Sequence, residues 1–132
     1  MAKKDKTHAA LKKDLDAVFS KYVRWYYADE NGVVECYTCN SQKLVKEIQN
    51  GHFQSRTNTS TRWHLNNCRP QCVACNMFRQ GEQLKFYRRL VADIGEQNVE
   101  EVIILSKSSV KYSKQDLKDL IKHYKQLLKE IL

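Results

Sequence analysis

The sequence lacks any apolar run long enough to cross a bilayer, which excludes a membrane-spanning helix. Its first ten residues, MAKKDKTHAA, are charged and lack the apolar stretch of a secretory signal peptide. We therefore expect the protein in the cytosol, where thiols stay reduced. In that compartment the five cysteines favour metal binding or chemistry over disulfides. Apolar residues make up 42% of the 132 positions, enough for one domain with one core.

Acidic residues are almost absent from the centre of this basic chain, whose formal net charge is +8. Between His52 and Arg89 the single acid is Glu82, and six of the seven arginines of the whole chain lie there. Because the planar guanidinium group pairs well with phosphate oxygens, this distribution favours a nucleic acid partner. The alternative is a solvated basic surface. The arginines predicted to contact DNA are Arg56, Arg62, Arg69, Arg79, Arg88 and Arg89.

Internal repeats and low-complexity linkers are also missing, so apolar periodicity is the guide to local structure in the N-terminal half. Residues 8–27 predict an amphipathic helix, and residues 33–37 predict a short strand. The run of threonine, asparagine and serine at 57–61 predicts an exposed loop. Alternating polar and apolar residues at 62–65 predict a brief extended segment.

The C-terminal half shows helical periodicity. A stripe of Leu84, Tyr87, Leu90, Val91 and Ile94 predicts a helix ending at Gly95. The run at 99–105 is compatible with a helix or a strand. The stretch 113–116 resembles a capping box that opens a final helix with one apolar face.

Two CxxC pairs carry the strongest chemical signal. Cys36-x-x-Cys39 is followed 32 residues later by Cys72-x-x-Cys75. Two such pairs supply four thiolates to one tetrahedral zinc, a closed site that stabilises the fold and leaves no position for a reacting water. The alternative is two unrelated pairs of free or redox-active cysteines. Cys68 does not continue either pair, and we interpret it as a free, partly buried thiol. The alternative is that it replaces one of the four cysteines as a zinc ligand.

The order CxxC, His, Asn, CxxC, Asn resembles the HNH endonuclease motif, with His52, Asn67 and Asn76 at its three named positions. The combination CYTC…GHFQSR…RWHLNNCRPQCVACN…G…YRRL…IG is similar to the NinG/Rap group of phage recombination nucleases, from about Cys36 to Gly95. That resemblance implies a zinc-binding ββα-metal fold and a structure-specific DNA endonuclease acting on D-loops and Holliday junctions. It also implies action in the cytoplasm of a bacterial host.

The residue types at these positions suit phosphodiester hydrolysis. A neutral imidazole at His52 can take a proton from water. The amide of Asn67 can bond the loop or orient the imidazole. Asn76 offers a carbonyl oxygen to Mg²⁺ or Mn²⁺, which prefer oxygen ligands. Arg56 follows His52 closely enough to hold an adjacent phosphate.

The residue before the first histidine departs from the HNH pattern. Many HNH enzymes have a metal-binding Asp there, whereas this chain has Gly51. The second protein ligand of the catalytic ion is therefore open, and the local candidates are His64 and Glu47.

We predict an α+β protein with a zinc-stabilised ββα-metal (HNH, treble-clef-like) core and helical extensions at both ends. The single domain comprises an N-terminal helix (1–30), the core (31–95) and a C-terminal helical extension (96–132). We expect branched DNA as the substrate, a recombinase as a further partner, and a homodimer through the C-terminal helix. Two rival functions stay open, a non-catalytic zinc module that binds nucleic acid and a zinc-framed protein-interaction adaptor.

Overall fold

The computed structural model describes residues 5–132, so the first four residues of the predicted N-terminal segment lie outside the described residues. The helices are α1 (His8–Tyr26), α2 (Thr59–Arg62), α3 (Gln83–Ile94), α4 (Glu96–Ser106) and α5 (Lys114–Ile131). The strands are β1 (Val33–Glu35), β2 (Gln42–Leu44), β3 (Ile48–His52) and β4 (Cys68–Cys72). This mixture confirms the α+β class. Along residues 5–132, no helix combines the length and apolarity needed to cross a membrane.

The two long terminal helices pack against each other. Thr7 caps α1 by accepting a hydrogen bond from the Ala10 N–H, and Ser113 caps α5 in the predicted capping box. Their contact combines aliphatic and aromatic side chains, with the rings of Phe19 and Tyr124 edge-on at 4.8 Å between centroids. The apolar stripes of both helices are thus buried in one core.

This packing covers most of the apolar residues near the end of α5, through which we predict a homodimer. Tyr124 and Leu128 are buried in the core shared with α1, and Leu127 is partly buried there. Ile131, at the end of the same stripe, is 44% exposed. Most of the C-terminal stripe therefore packs within the chain, and the homodimer stays a prediction.

Two antiparallel hairpins form the centre. β1 pairs with β2, with Val33 opposite Leu44. β3 pairs with β4 in a register that runs from Ile48 opposite Cys72 to His52 opposite Cys68. A 3-10 turn, Val45–Glu47, leads from the first hairpin into the second. The second hairpin therefore places the last residue of β3 beside the first residue of β4.

The connection between β3 and β4 corrects two sequence predictions. The predicted loop at 57–61 contains the start of α2, where Ser60 and Thr61 are buried. Their burial is possible because hydroxyls can bond to carbonyls, as Ser60 Oγ does to the Leu105 oxygen at 2.8 Å. The extended segment predicted at 62–65 is also wrong, since the chain there leaves α2 and enters a 3-10 turn, Leu65–Asn67.

In the C-terminal half the ambiguous segment is helical, as α4. Gly95 has φ +88° and separates α3 from α4, in agreement with the predicted helix end. The predicted apolar stripe of α3 is wrong at its start, because Leu84 is exposed and the buried residues of that helix are Phe86 and Leu90. Leu84 lies in the first turn of α3, away from the core on which the helix packs.

Candidate functional site

Four cysteine side chains meet at one point, as the two CxxC pairs predicted. Their sulfur atoms all lie within 4.8 Å of one another, and two of them are 3.7 Å apart. A tetrahedral zinc with Zn–S bonds of ~2.3 Å separates its sulfurs by ~3.8 Å, so the cluster has the dimensions of a structural zinc site. The four residues are Cys36, Cys39, Cys72 and Cys75.

The backbone around Cys36 favours its thiolate form. Burial raises the pKa of this thiol, but hydrogen bonds from the N–H groups of Cys72 and Thr38 outweigh burial and bring the pKa to about 6. The bond from the Cys72 nitrogen to the Cys36 sulfur is 3.3 Å long. Since zinc binds thiolates, these N–H groups prepare the sulfur to act as a ligand.

Cys68 lies outside this cluster. Its side chain is fully buried, its sulfur is 3.7 Å from the carbonyl oxygen of Arg62, and burial raises the pKa of its thiol. The prediction of a free thiol fits this placement, although the thiol is more deeply buried than predicted. The alternative role as a substitute zinc ligand does not fit.

His52 ends β3 with its ring in a fixed orientation. Its Nε2 donates a hydrogen bond to the carbonyl oxygen of Arg62 at 2.9 Å. In the neutral ring this leaves Nδ1 as the acceptor. Burial, partly opposed by that hydrogen bond, lowers the pKa of His52 below its ordinary value of 6.5. The geometry thus maintains a neutral imidazole with one basic nitrogen.

Asn67 clamps the connection between β3 and β4. Its buried amide accepts from the Gln54 N–H at 2.7 Å and donates to the carbonyl oxygens of Gln54 at 3.1 Å and Thr61 at 3.0 Å. Thr61 directly precedes Arg62, whose carbonyl receives the His52 ring. Of the two roles predicted for this amide, the structure contains the loop bond. Its effect on His52 is indirect, through the backbone.

Asn76 lies in a π-helical turn, Ala74–Phe78, directly after the fourth cysteine. Its Nδ2 donates to Gln49 Oε1 at 2.8 Å, which leaves its carbonyl oxygen for another partner. Asn76 lies inside this turn and does not cap the helix that follows, because α3 begins only at Gln83. π-Helical turns are frequent at functional sites, where they redirect a side chain.

A cleft of about 950 Å³ brings His52 and Asn76 to one surface, and Arg56 lines it as well. Its walls are α1, strand β3 with the chain that follows it, and the segment after the fourth cysteine. Asn67 is not among its lining residues. Two of the three residues that carry the HNH resemblance therefore face a common space, and the third supports its wall.

Asp16 of α1 also lines this cleft, and sequence reasoning missed it. Its carboxylate accepts hydrogen bonds from Arg62 Nε and Trp63 Nε1, and it pairs with Arg56 at 3.2 Å. Burial raises the pKa of Asp16, but these donors outweigh burial and lower it. The available signal was an acid beside the apolar stripe of α1, with nothing to indicate its distant partners.

The predicted phosphate-binding arginines separate into two groups. Arg56, Arg79 and Arg88 are exposed. Arg56 pairs with Asp16, and Arg79 lies 4.0 Å from Glu82, so a polyanion would compete with these acids for both residues. Arg62 is paired with Asp16 and its side chain is only 14% exposed. Arg69 is buried between the rings of Tyr27 and Tyr37 and bonds backbone carbonyls, so its predicted DNA contact does not fit.

Arg89 is intermediate between these two groups. Its guanidinium lies 4.3 Å from the centroid of the Tyr37 ring, bonds the Tyr37 carbonyl, and is 3.8 Å from Glu35. A contact to phosphate would compete with these partners.

A family model described as Bacteriophage Lambda NinG protein matches residues 2–132 of the chain. The chain belongs to the NinG family. That match confirms the NinG resemblance, while membership of the wider HNH superfamily stays a prediction. No curated protein and no solved structure matches the chain.

In this NinG-family chain the space beside Gly51 is filled. A Cβ atom at this position would lie 1.9 Å from Oε1 of Gln71 and 2.6 Å from its Cδ. The Gln71 side chain is buried and donates to Thr38 Oγ1 and the Gly81 carbonyl oxygen. An acid before His52 is thus sterically incompatible with the position of Gln71.

Neither local candidate for the second ion ligand reaches the cleft. His64 caps the 3-10 turn after α2, its Nδ1 accepting from the Asn66 N–H at 3.1 Å. Glu47 is exposed in the turn before β3. Neither residue lines the cleft that contains His52 and Asn76. The prediction of His64 as a metal ligand does not fit this placement.

We expect Cys72→Ser to lose zinc and to unfold the centre of the chain, because structural zinc binding is coupled to folding. Cys68→Ala is the matched control and should keep one zinc, since its thiol lies outside the cluster. Metal content by atomic emission and thermal unfolding by circular dichroism measure both effects. Full zinc content in Cys72→Ser would contradict the assignment.

We expect Gly51→Ala to destabilise the fold by about 1–3 kcal/mol, the usual cost of overpacking. The added methyl group meets the anchored Gln71 side chain. Gln71→Ala in the same chain should relieve part of this cost, so the double variant should be more stable than the two single effects predict. Urea unfolding of the parent, the two single variants and the double variant measures the four free energies of unfolding. If the two single effects simply add in the double variant, the steric explanation is refuted.

Proposed function

We propose that this protein is a structure-specific endonuclease that nicks branched DNA by metal-assisted hydrolysis, with an H-N-N version of the HNH site. The observation that carries the proposal is the shared cleft, which both His52, with its neutral imidazole, and Asn76 line. Membership of the NinG family supports a role in phage recombination.

The order of elements around the cleft supports an HNH-type ββα-metal core. The antiparallel strands β3 and β4 are followed at once by the helical turn Ala74–Phe78, and the cysteine cluster ties that turn to the first hairpin. His52 ends the first strand and Asn76 lies in the turn. Two strands and a helical turn thus supply the two candidate reacting groups.

Each residue has a role that follows from its surroundings. His52 takes a proton from water at Nδ1, while its bond to the Arg62 carbonyl holds the ring. Asn67 holds the loop that carries this carbonyl. Arg56 binds a neighbouring phosphate oxygen from the cleft wall. Exposed Arg79 binds the backbone farther along, without base specificity.

The cleft offers oxygen atoms of the kind that suit Mg²⁺ or Mn²⁺. Within residues 5–132 the amide oxygen of Asn76 accepts no hydrogen bond, and the Oδ1 atom of Asn50, a residue that lines the cleft, is buried without a hydrogen-bond partner. Such neutral oxygens fit an ion whose remaining ligands are water and phosphate. When bound, the ion supplies positive charge that stabilises the pentacovalent phosphorus and the leaving oxygen.

One observation favours a second candidate function, a module that binds DNA without cutting it. The space where many HNH enzymes have an acid is occupied by Gln71, so the cleft lacks that carboxylate. A binding module and a nuclease share the exposed arginines and differ only in the reaction. Cleavage in the presence of Mg²⁺ or Mn²⁺ therefore decides between them.

We expect His52→Ala to reduce nicking of a four-way junction by about 10²–10⁴-fold, the usual contribution of a general base. DNA affinity should stay unchanged because the phosphate contacts remain. His123→Ala is the matched control, since that histidine is exposed on α5 away from the cleft. Gel assays of nicking and binding measure both quantities. No nicking by the parent chain with either ion would reject the nuclease.

We expect the nicking rate to be flat above pH 6.5 and to fall only at lower pH. Burial lowers the pKa of His52 below 6.5, so the ring stays in its basic, neutral form through neutral pH. Protonation of His52 favours the unfolded chain, where its pKa is higher, so the stability that this residue contributes is lost as the pH falls and not as it rises. Rates and circular dichroism at each pH separate the two effects. A rate that declines from pH 6.5 to 8 would contradict a neutral His52 base.

A further inference from the structure

Phe78 is the most exposed large apolar side chain among residues 5–132, at 80% of its full accessibility. Its neighbour Met77 is 60% exposed. An isolated exposed apolar residue needs no explanation, but a fully projecting phenylalanine beside a candidate active site does. Asn76 lies two residues before it, and Met77 and Gln80 line the cleft.

The backbone on both sides of Phe78 is fixed. The π-helical turn begins at the zinc cluster, and its end is followed by Gln80, Gly81 and Glu82, all with positive φ (53°, 83° and 48°). The Gly81 N–H donates to the Cys75 carbonyl at 2.8 Å. The Gly81 carbonyl accepts from the buried Gln71 amide at 2.8 Å. The projection of Phe78 is therefore built into the fold.

The surroundings of Phe78 are basic. Arg79 and Lys85 are both more than half exposed, and Arg88 is exposed on the same helix as Lys85. The acid near them is Glu82, at 4.0 Å from Arg79 and 3.8 Å from Lys85. This setting matches the backbone of DNA better than an apolar protein surface. An aromatic ring among phosphate-binding groups suits a base, because every base has an apolar face on which a ring can stack.

We infer that Phe78 stacks on a base that is unpaired or unstacked at the branch point of DNA bound in the cleft. This inference rests on the proposed function for the DNA substrate, and it assigns recognition of branch structure to one side chain. Inserting an apolar side chain between base steps costs the energy of unstacking those bases, and that cost is least for a base that is already unpaired. Arg79 and Lys85 hold the flanking phosphates, and in a paired duplex Phe78 would first have to unstack a base pair.

The test compares a Y-shaped DNA, with 2-aminopurine at the branch point, and a linear duplex of the same sequence. Binding is measured with zinc present and without Mg²⁺ or Mn²⁺, so that no cleavage is required. We expect Phe78→Ala to weaken binding to the branched DNA about tenfold, the loss of one stacked base. Affinity for the duplex should not change. The fluorescence of 2-aminopurine should change when the parent protein binds and should not change when Phe78→Ala, which lacks the phenyl ring, binds.

Two further variants separate stacking from loss of apolar surface or fold. Phe78→Trp should keep the preference for branched DNA, because it retains an aromatic face. Ile104→Ala, at a residue 67% exposed on α4, is the matched control and should bind both DNAs like the parent. Retained zinc content in every variant shows that the turn is intact.

The inference would be overturned if Phe78→Ala weakened binding to branched and linear DNA equally. It would also be overturned if this variant kept the parent's preference for branched DNA. A concentration-dependent mass that Phe78→Ala abolishes, with branch preference unchanged, would assign Phe78 to contact with a second copy of this chain instead. If the preference for branched DNA depends on Phe78 but the chain never nicks DNA, the inference is supported and the proposed nuclease is rejected. If the chain nicks DNA but its preference for branched DNA does not depend on Phe78, the nuclease is supported and the inference is rejected.

Discussion

The convergence of four sulfur atoms is the constraint on which the rest of the centre depends. The first pair follows β1, and the second pair ends β4 and begins the π-helical turn. The apolar cluster around these sulfurs is small, with Val34, Val45 and Ile48 as its aliphatic members. So few aliphatic residues bury little apolar surface for two hairpins, and a zinc ion bound by the four sulfurs would supply further stabilisation. Because β4 pairs with β3, the clamp that holds Asn76 also holds the strand that carries His52.

Polar contacts stabilise the connection between β3 and β4. The connection between β3 and β4 is held by the buried amide of Asn67, by hydroxyls bonded to α4, and by the Asp16 network. These contacts also determine the surroundings of His52. The carbonyl of Arg62 fixes the His52 ring, while the guanidinium of the same residue is neutralised by Asp16. The cleft thus keeps a neutral imidazole close to Arg56 and Arg62, whose charges Asp16 offsets.

The features that sequence reasoning predicted are those with a local cause. Helices α1, α3 and α5 follow from apolar periodicity and caps within one segment, and the cysteine cluster follows from ligand spacing. The arginines show why other features could not be predicted. The sequence shows only three equivalent positive charges at Arg56, Arg62 and Arg69. In the structure Arg62 is paired with Asp16, 46 residues before it. Two tyrosine rings enclose Arg69. The helical turn at 59–62 was missed for the same reason, since the hydroxyls of Thr59 and Ser60 bond to the distant carbonyls of Val110 and Leu105.

Gln71 connects the departure from the HNH pattern to the shape of the cleft rim. Its side chain occupies the space beside Gly51 and, from the same position, anchors the carbonyl of Gly81. An acid at position 51 would displace Gln71 and with it the run of left-handed residues that follows Phe78. The missing carboxylate and the backbone turn after Phe78 therefore involve the same packed side chain. A single buried amide thus links the packing beside Gly51 to the backbone conformation at the rim of the cleft.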